Sequence, residues 1–126
     1  MTASARPNLV AFLDTDEMVA EMYAFGLGER GFRVTIHHSG AELMATVGSD
    51  PPDLVVIDWV LPGGGAAILA AIRADDRICA VPILILTAVG PTDSERDLAS
   101  ENAVGGWHEK IHTPPGMLAD ALAALA

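Results

Sequence analysis

The sequence predicts an α/β domain built on a parallel sheet, with helices covering both faces. Three observations carry this expectation. Leu9-Val10-Ala11-Phe12-Leu13, Leu54-Val55-Val56-Ile57 and Ile83-Leu84-Ile85-Leu86 are continuous apolar runs, the pattern of strands buried on both sides. Segments of helical periodicity alternate with these runs and with two weaker strand-like stretches, five times along the chain. The connections are short and carry Gly and Pro at their turns, as crossovers between neighbouring parallel strands allow.

In order, the first strand is Leu9 to Leu13, stopped by Asp14. A helix opens at Asp16, with Thr15 or Asp16 as its cap and Met18, Met22 and Phe25 as its apolar stripe; Gly28 and Gly31 end it. Phe32 to Ile36 reads as a second strand. Ser39 or Gly40 starts a short helix with Leu43, Met44 and Val47, closed by Gly48. After the Pro51-Pro52 turn, Leu54 to Ile57 is the clearest central strand, and Asp58 terminates it. Residues 66 to 74 carry Ile68, Leu69 and Ile72 at helical spacing. The strand Ile83 to Leu86 ends at Thr87. A polar helix over 92–103 is anchored mainly by Leu98, a weak strand over 104–108 contains Trp107, and Thr113 caps a last helix that starts at Pro114-Pro115 and turns Leu118, Leu122 and Leu125 inward.

Composition narrows the function classes. The 126 residues are 51% hydrophobic and suffice for one domain with a real core, here taken as 1–126. A formal charge of −10, from 17 acidic against 7 basic residues, repels phosphate backbones and anionic lipids, so neither nucleic acid nor a membrane is expected as a direct partner. The single cysteine, Cys79, cannot form an intrachain disulfide; it is expected to be buried or inert. The first residues lack the apolar run of a signal peptide, no window is long enough to span a bilayer, and a cytoplasmic location is the expectation.

In open parallel sheets, chemistry sits beyond the C-terminal ends of the strands, near the point where strand order reverses. Here those ends carry Asp14, Asp58 and Thr87. Carboxylates so placed can hold a hard cation such as Mg²⁺, and one of them can attack phosphorus to give an aspartyl phosphate. Asp14 supplies the second carboxylate, and Asp16 is either a third or a helix cap. The Thr87 hydroxyl and the ammonium of Lys110, the only lysine in the chain, suit the phosphoryl oxygens as donors.

These residues together resemble the receiver domains of bacterial two-component response regulators, members of the CheY-like superfamily. "FLDTDE" resembles the family's acidic motif after the first strand, "PDLVVIDWVLPGGG" the motif around its phosphorylated aspartate, "PILILTA" the Thr/Ser motif and "GGWHEK" the lysine motif. The order and spacing are specific where the single motifs are not: 44 residues separate Asp14 from Asp58, 29 more lead to Thr87, and 23 more to Lys110. The resemblance implies a doubly wound, flavodoxin-like five-stranded sheet of order 2-1-3-4-5. It implies Asp58 as phosphoacceptor, with Thr87 and Lys110 as its helpers. Mg²⁺ would be held by Asp14, Asp58 and the carbonyl of Val60, with Asp16 as a candidate, and Thr87 and Trp107 would form the switch. The implied partners are a sensor histidine kinase or phosphotransfer protein and a downstream protein or separate output domain, with a homodimer as a further option. Any enzymatic activity would be phosphotransfer to the domain's own Asp and slow autodephosphorylation.

The sequence departs from that family at three places. Thr15 stands where a second acid is usual, which predicts weaker Mg²⁺ binding. Ile111 replaces a proline after Lys110, which predicts a trans peptide there. Gly63-Gly64-Gly65 predicts a mobile loop after Asp58. A degenerate receiver acting as an interaction or dimerisation module is therefore the competing reading. A flavodoxin-like cofactor binder is disfavoured, because "DTDE" is acidic where a phosphate would be cradled and no GK[ST] follows the glycines. Trp107 is either a rotating aromatic or a static ring, and Trp59 either shades the site or packs on the surface. His37, His38, His108 and His112 are expected to be structural or exposed, with His108 nearest the site; no zinc is expected from them.

Overall fold

The computed structural model describes residues 8–126, so the segment read as lacking a signal peptide lies largely outside the described residues. Five strands, β1 (Leu9–Leu13), β2 (Arg33–His37), β3 (Leu54–Ile57), β4 (Ile83–Thr87) and β5 (Gly106–Glu109), form one parallel sheet in the order β2-β1-β3-β4-β5. Five helices alternate with them: α1 (Glu17–Glu29), α2 (Gly40–Thr46), α3 (Gly65–Ala74), α4 (Asp93–Glu101) and α5 (Pro115–Leu125). The doubly wound sheet is the architecture the sequence predicts.

The apolar runs are continuous because each central strand feeds two cores. Successive side chains alternate across the sheet. Val10, Phe12, Leu54, Val56, Leu84 and Leu86 pack against α1 and α5, through Tyr23, Leu27, Leu118 and Leu122. Ala11, Leu13, Val55, Ile57, Ile83 and Ile85 pack on the other face with Leu43 of α2 and Leu69 and Ile72 of α3. The edge strands β2 and β5 are mostly half-buried, which is why their periodicity is weaker and their observed bounds differ by a residue or two from those expected.

The largest departure is the rotation of α1. Met18, Met22 and Phe25 are 82%, 51% and 73% exposed, and the buried stripe is Ala20, Tyr23 and Leu27. Both stripes have helical spacing, so apolarity alone does not choose between them. Two contacts do: a Cβ on Gly26 would collide with Pro115 of α5, and the Tyr23 hydroxyl finds a buried acceptor, which no Met or Phe could use.

Cys79 is exposed rather than buried. It lies in the turn between α3 and β4, and its carbonyl serves Arg73. The Arg73 guanidinium also donates to the carbonyls of Val81 at 2.6 Å, Asn102 at 2.8 Å and Ala103 at 3.4 Å, tying the entries to β4 and β5 together at the edge opposite the aspartates. No helix among the described residues is long and apolar enough to cross a membrane.

Candidate functional site

Register alone brings the two aspartates together. Leu13 of β1 faces Ile57 of β3, so Asp14 and Asp58 leave neighbouring strands side by side, and the Asp58 N–H donates to the Leu13 carbonyl at 2.9 Å. Both are buried, at 0% and 4% exposure. On the next strand Thr87 is also buried; it pairs with Glu109 of β5, which places Lys110 immediately beyond the same edge.

Lys110 reaches across the sheet to both carboxylates, with Nζ 2.9 Å from Asp14 Oδ2 and 3.1 Å from Asp58 Oδ2. The remaining oxygen of each acid is held by its own loop. Asp14 Oδ1 accepts from the Asp16 N–H at 2.9 Å, and Asp58 Oδ1 from the Val60 N–H at 3.2 Å. One ammonium thus faces two carboxylates, leaving the cluster with one uncompensated negative charge.

Burial pushes the Asp58 carboxyl above the ordinary aspartate value, with the Asp14 charge adding to it and the Val60 N–H and Lys110 opposing it. Burial works against the charge of Lys110, but its hydrogen bonds to Asp14 and Asp58 outweigh that and hold it above the ordinary lysine value.

This donor set fits a hard cation modestly. Two buried carboxylates with a residual negative charge suit Mg²⁺, which is commonly held by one or two carboxylates while it keeps several waters. A third side-chain ligand does not converge: among the described residues no three His, Cys, Asp or Glu side chains form a metal-holding group. Asp16 instead caps α1, its Oδ1 accepting from the Val19 N–H at 3.2 Å, and Thr15 is exposed.

The loop after Asp58 uses its glycines for geometry. Gly63 and Gly64 have φ of 86° and 88°, conformations that an L side chain rarely adopts. Gly65 lies beneath Trp59, where a Cβ would collide with the indole. Trp59 is half-buried. Its ring centroid lies 4.8 Å from that of Trp107 at a 55° tilt, and its Nε1–H donates to the Glu95 carboxylate at 2.8 Å. Glu95 also closes the capping box of α4 with Thr92, so the residue next to Asp58 is bonded to the first turn of that helix. The Trp107 Nε1–H points to the Val89 carbonyl at 3.4 Å. The Thr92-x-x-Glu95 box is visible in the sequence, although its link to Trp59 is not.

After β5 the chain makes a one-turn 3-10 segment, Lys110–His112, with no cis peptide among the described residues. Thr113 does not cap the last helix, as its position before Pro114 suggests. Its hydroxyl turns back to the Glu109 carbonyl at 2.7 Å, and Pro114 precedes α5 without a side-chain cap. Two further residues meet the site's surroundings: His38, which the sequence marks only as structural or exposed, and Tyr23, which it does not single out. His38 sits with Nδ1 3.0 Å from the Asp14 carbonyl, and Tyr23 donates its hydroxyl to the Thr113 carbonyl at 2.6 Å. Nothing in their spacing marks either one. His37 is buried against Thr35, while His108 and His112 belong to no metal-holding group among the described residues.

Comparison with known proteins gives the same answer from three directions. The family described as response regulator receiver domain matches residues 10–107. The response regulator MprA of Mycobacterium ulcerans is 32% identical over 99 residues, covering 76% of this chain and 38% of that protein. A two-component response regulator of the LuxR family from an Aurantimonas species superposes with a TM-score of 0.80 at 28% identity, covering 94% of this chain and 84% of that one. The chemotaxis response regulator CheY4 of Vibrio cholerae superposes with a TM-score of 0.83 over 95% of this chain and 99% of that one; at 21% identity this likeness concerns the fold. The chain spans between about a third and a half of the length of several curated relatives that it matches.

Proposed function

Because this chain belongs to the response regulator receiver domain family of two-component systems, we propose that Asp58 is its phosphoacceptor and that phosphorylation switches partner binding. The observation that carries this reading is the single lysine held between two buried carboxylates at the sheet edge. A carboxylate oxygen of Asp58 attacks the phosphorus of a phosphohistidine on a sensor kinase or phosphotransfer protein. The P–N bond breaks as the P–O bond forms, and the leaving imidazole retains the electron pair and is protonated. Lys110 keeps its bond to Asp14 and offers its remaining donors to the phosphoryl oxygens, with the Thr87 hydroxyl as a further donor.

Asp14, Asp58 and the Val60 carbonyl are the groups that would hold Mg²⁺, which when bound neutralises phosphoryl charge. Pulling Thr87 towards the phosphoryl group would repack the face made by α4, β5 and α5, where Trp59, Glu95 and Trp107 already meet. Output then passes to a downstream protein or to an output domain elsewhere in a longer protein.

The test is incubation with a small acyl or amidophosphate donor, with and without Mg²⁺, read by intact mass. The expected result is a Mg²⁺-dependent gain of one phosphoryl group by the wild type and none by Asp58→Asn. The incomplete acidic set, with Thr15 exposed and Asp16 engaged as a cap, supports a second reading: a receiver that binds or dimerises without phosphorylation. No gain of mass with any donor would select it.

A further inference from the structure

We infer that Tyr23 is a positioning residue for Lys110, acting through Thr113 from the buried face of α1. This deepens the phosphoacceptor reading above and rests on it only for the catalytic consequence.

The turn that carries Lys110 has little to hold it. It is one 3-10 turn of three residues, a form with few and poorly aligned bonds of its own. Ile111 is 79% exposed and His112 is exposed as well, so neither anchors the segment by burial. Lysine has a flexible four-carbon stem, and its backbone must be set for Nζ to reach two carboxylates on two other strands.

What fixes the turn is Thr113, 3% exposed. Its N–H donates to the Lys110 carbonyl at 3.2 Å and its hydroxyl to the Glu109 carbonyl at 2.7 Å, so one residue grips both ends of the peptide pair bearing Lys110. Thr113 is gripped in turn by Tyr23, whose hydroxyl donates to its carbonyl at 2.6 Å across a separation of 90 residues.

Tyr23 is itself well fixed. Its ring is buried and stacks on Phe12 at 5.5 Å, two residues before Asp14, and it lies on the helix that begins directly after the Asp14 loop. Lys110 and Asp14 are therefore both referenced to the unit of β1 and α1. Burial raises the phenol above its ordinary value, which keeps it protonated and donating.

Tyr23→Phe keeps the stacked ring and deletes only the donor. Thr113→Val removes the grip on Glu109 and keeps the shape. Leu122→Val trims the same core without touching the turn and serves as the control for lost stability. Since the chain has one lysine, the side-chain ¹⁵N ammonium signal belongs to Lys110 without assignment, and its proton exchange reports how tightly it is bonded. In Tyr23→Phe and Thr113→Val the exchange is expected to quicken, and Asp58 phosphorylation by a small donor to slow, each by roughly two- to tenfold, the equivalent of one intramolecular hydrogen bond. Leu122→Val should leave both unchanged. If Tyr23→Phe lowers only the unfolding midpoint, or Leu122→Val moves the ammonium signal equally, Tyr23 is a packing residue and the inference fails. A wild type that takes up no phosphoryl group overturns the phosphoacceptor reading instead, and the ammonium exchange still decides the role of Tyr23.

Discussion

Replacing Lys110 by Met tests the electrostatic design of the site most directly. The stem is retained in outline, while the only positive charge between two buried carboxylates is removed. Two unit charges about 4 Å apart attract by about 4 kcal/mol at an effective dielectric of 20, and Lys110 makes two such contacts. Much of that is offset. Lys110 is 24% exposed and partly screened, and bringing all three groups out of water has its own cost.

Losing the cation also leaves Asp14 and Asp58 to repel each other. Removing one partner of a buried pair typically costs about 3–5 kcal/mol, and the exposure of Lys110 lowers this to about 2–4 kcal/mol at neutral pH. With a slope of about 2 kcal/mol per M, the urea midpoint should fall by roughly 1–2 M.

The sign with pH is fixed by burial. Without Lys110 the Asp58 carboxyl, already raised by burial and by the Asp14 charge, loses the cation that opposes them, so the variant is most stable below the ordinary aspartate range and loses stability as pH rises. The gap to wild type should therefore close on acidification, and Asp14→Asn added to Lys110→Met should restore much of the loss at neutral pH. Urea curves for the three proteins at neutral and mildly acidic pH decide it. A gap that is constant with pH, or no rescue by Asp14→Asn, would show that Lys110 stabilises the fold by packing rather than by charge.

Asp58→Asn should behave in the opposite sense. Burial raises the Asp58 carboxyl, so its ionisation costs stability as pH rises through that raised value; the variant should melt above wild type at neutral pH, with the difference vanishing in acid. Gly65→Ala would set a Cβ 2.6 Å from Trp59 Cδ2 and 2.9 Å from its carbonyl. The indole must leave Glu95, with a changed tryptophan emission and a loss of about 1–3 kcal/mol; an unchanged spectrum would contradict the packing described. Thr15→Asp adds a carboxylate beside Asp14 and should tighten Mg²⁺ on the order of tenfold, read by titration calorimetry. Unmoved affinity would mean that Thr15 does not face the cation.

The central strands and the strand-end residues were legible because two-sided burial writes itself as unbroken apolar runs, and a polar residue closing such a run stands out. Asp14, Asp58 and Thr87 stand out that way; Lys110 follows no apolar run and stands out as the only lysine in the chain. The rotation of α1 was not legible, since Met18, Met22 and Phe25 match helical spacing as well as Ala20, Tyr23 and Leu27 do. The choice depends on α5, more than 80 residues further on. The hydroxyl of Thr113 is illegible for a related reason. Position before Pro114 argues for a cap, and only the fold reveals that the Glu109 carbonyl competes for its hydroxyl. The role of Asp16, left open between ligand and cap by the sequence, is that of a cap in this structure.

The bridge made by Lys110 has a consequence for how the chain assembles. Its bonds to Asp14 and Asp58 close sequence separations of 96 and 52 residues, so they form only after the final strand has docked. Any partly folded form in which β1 has paired with β3 ahead of β5 holds two carboxylates side by side with no counter-ion. Parallel sheets already fold slowly because their pairings are non-local. Here the site residues add an electrostatic barrier to the middle of the route, and that barrier falls when the last sixth of the chain, from β5 onward, arrives.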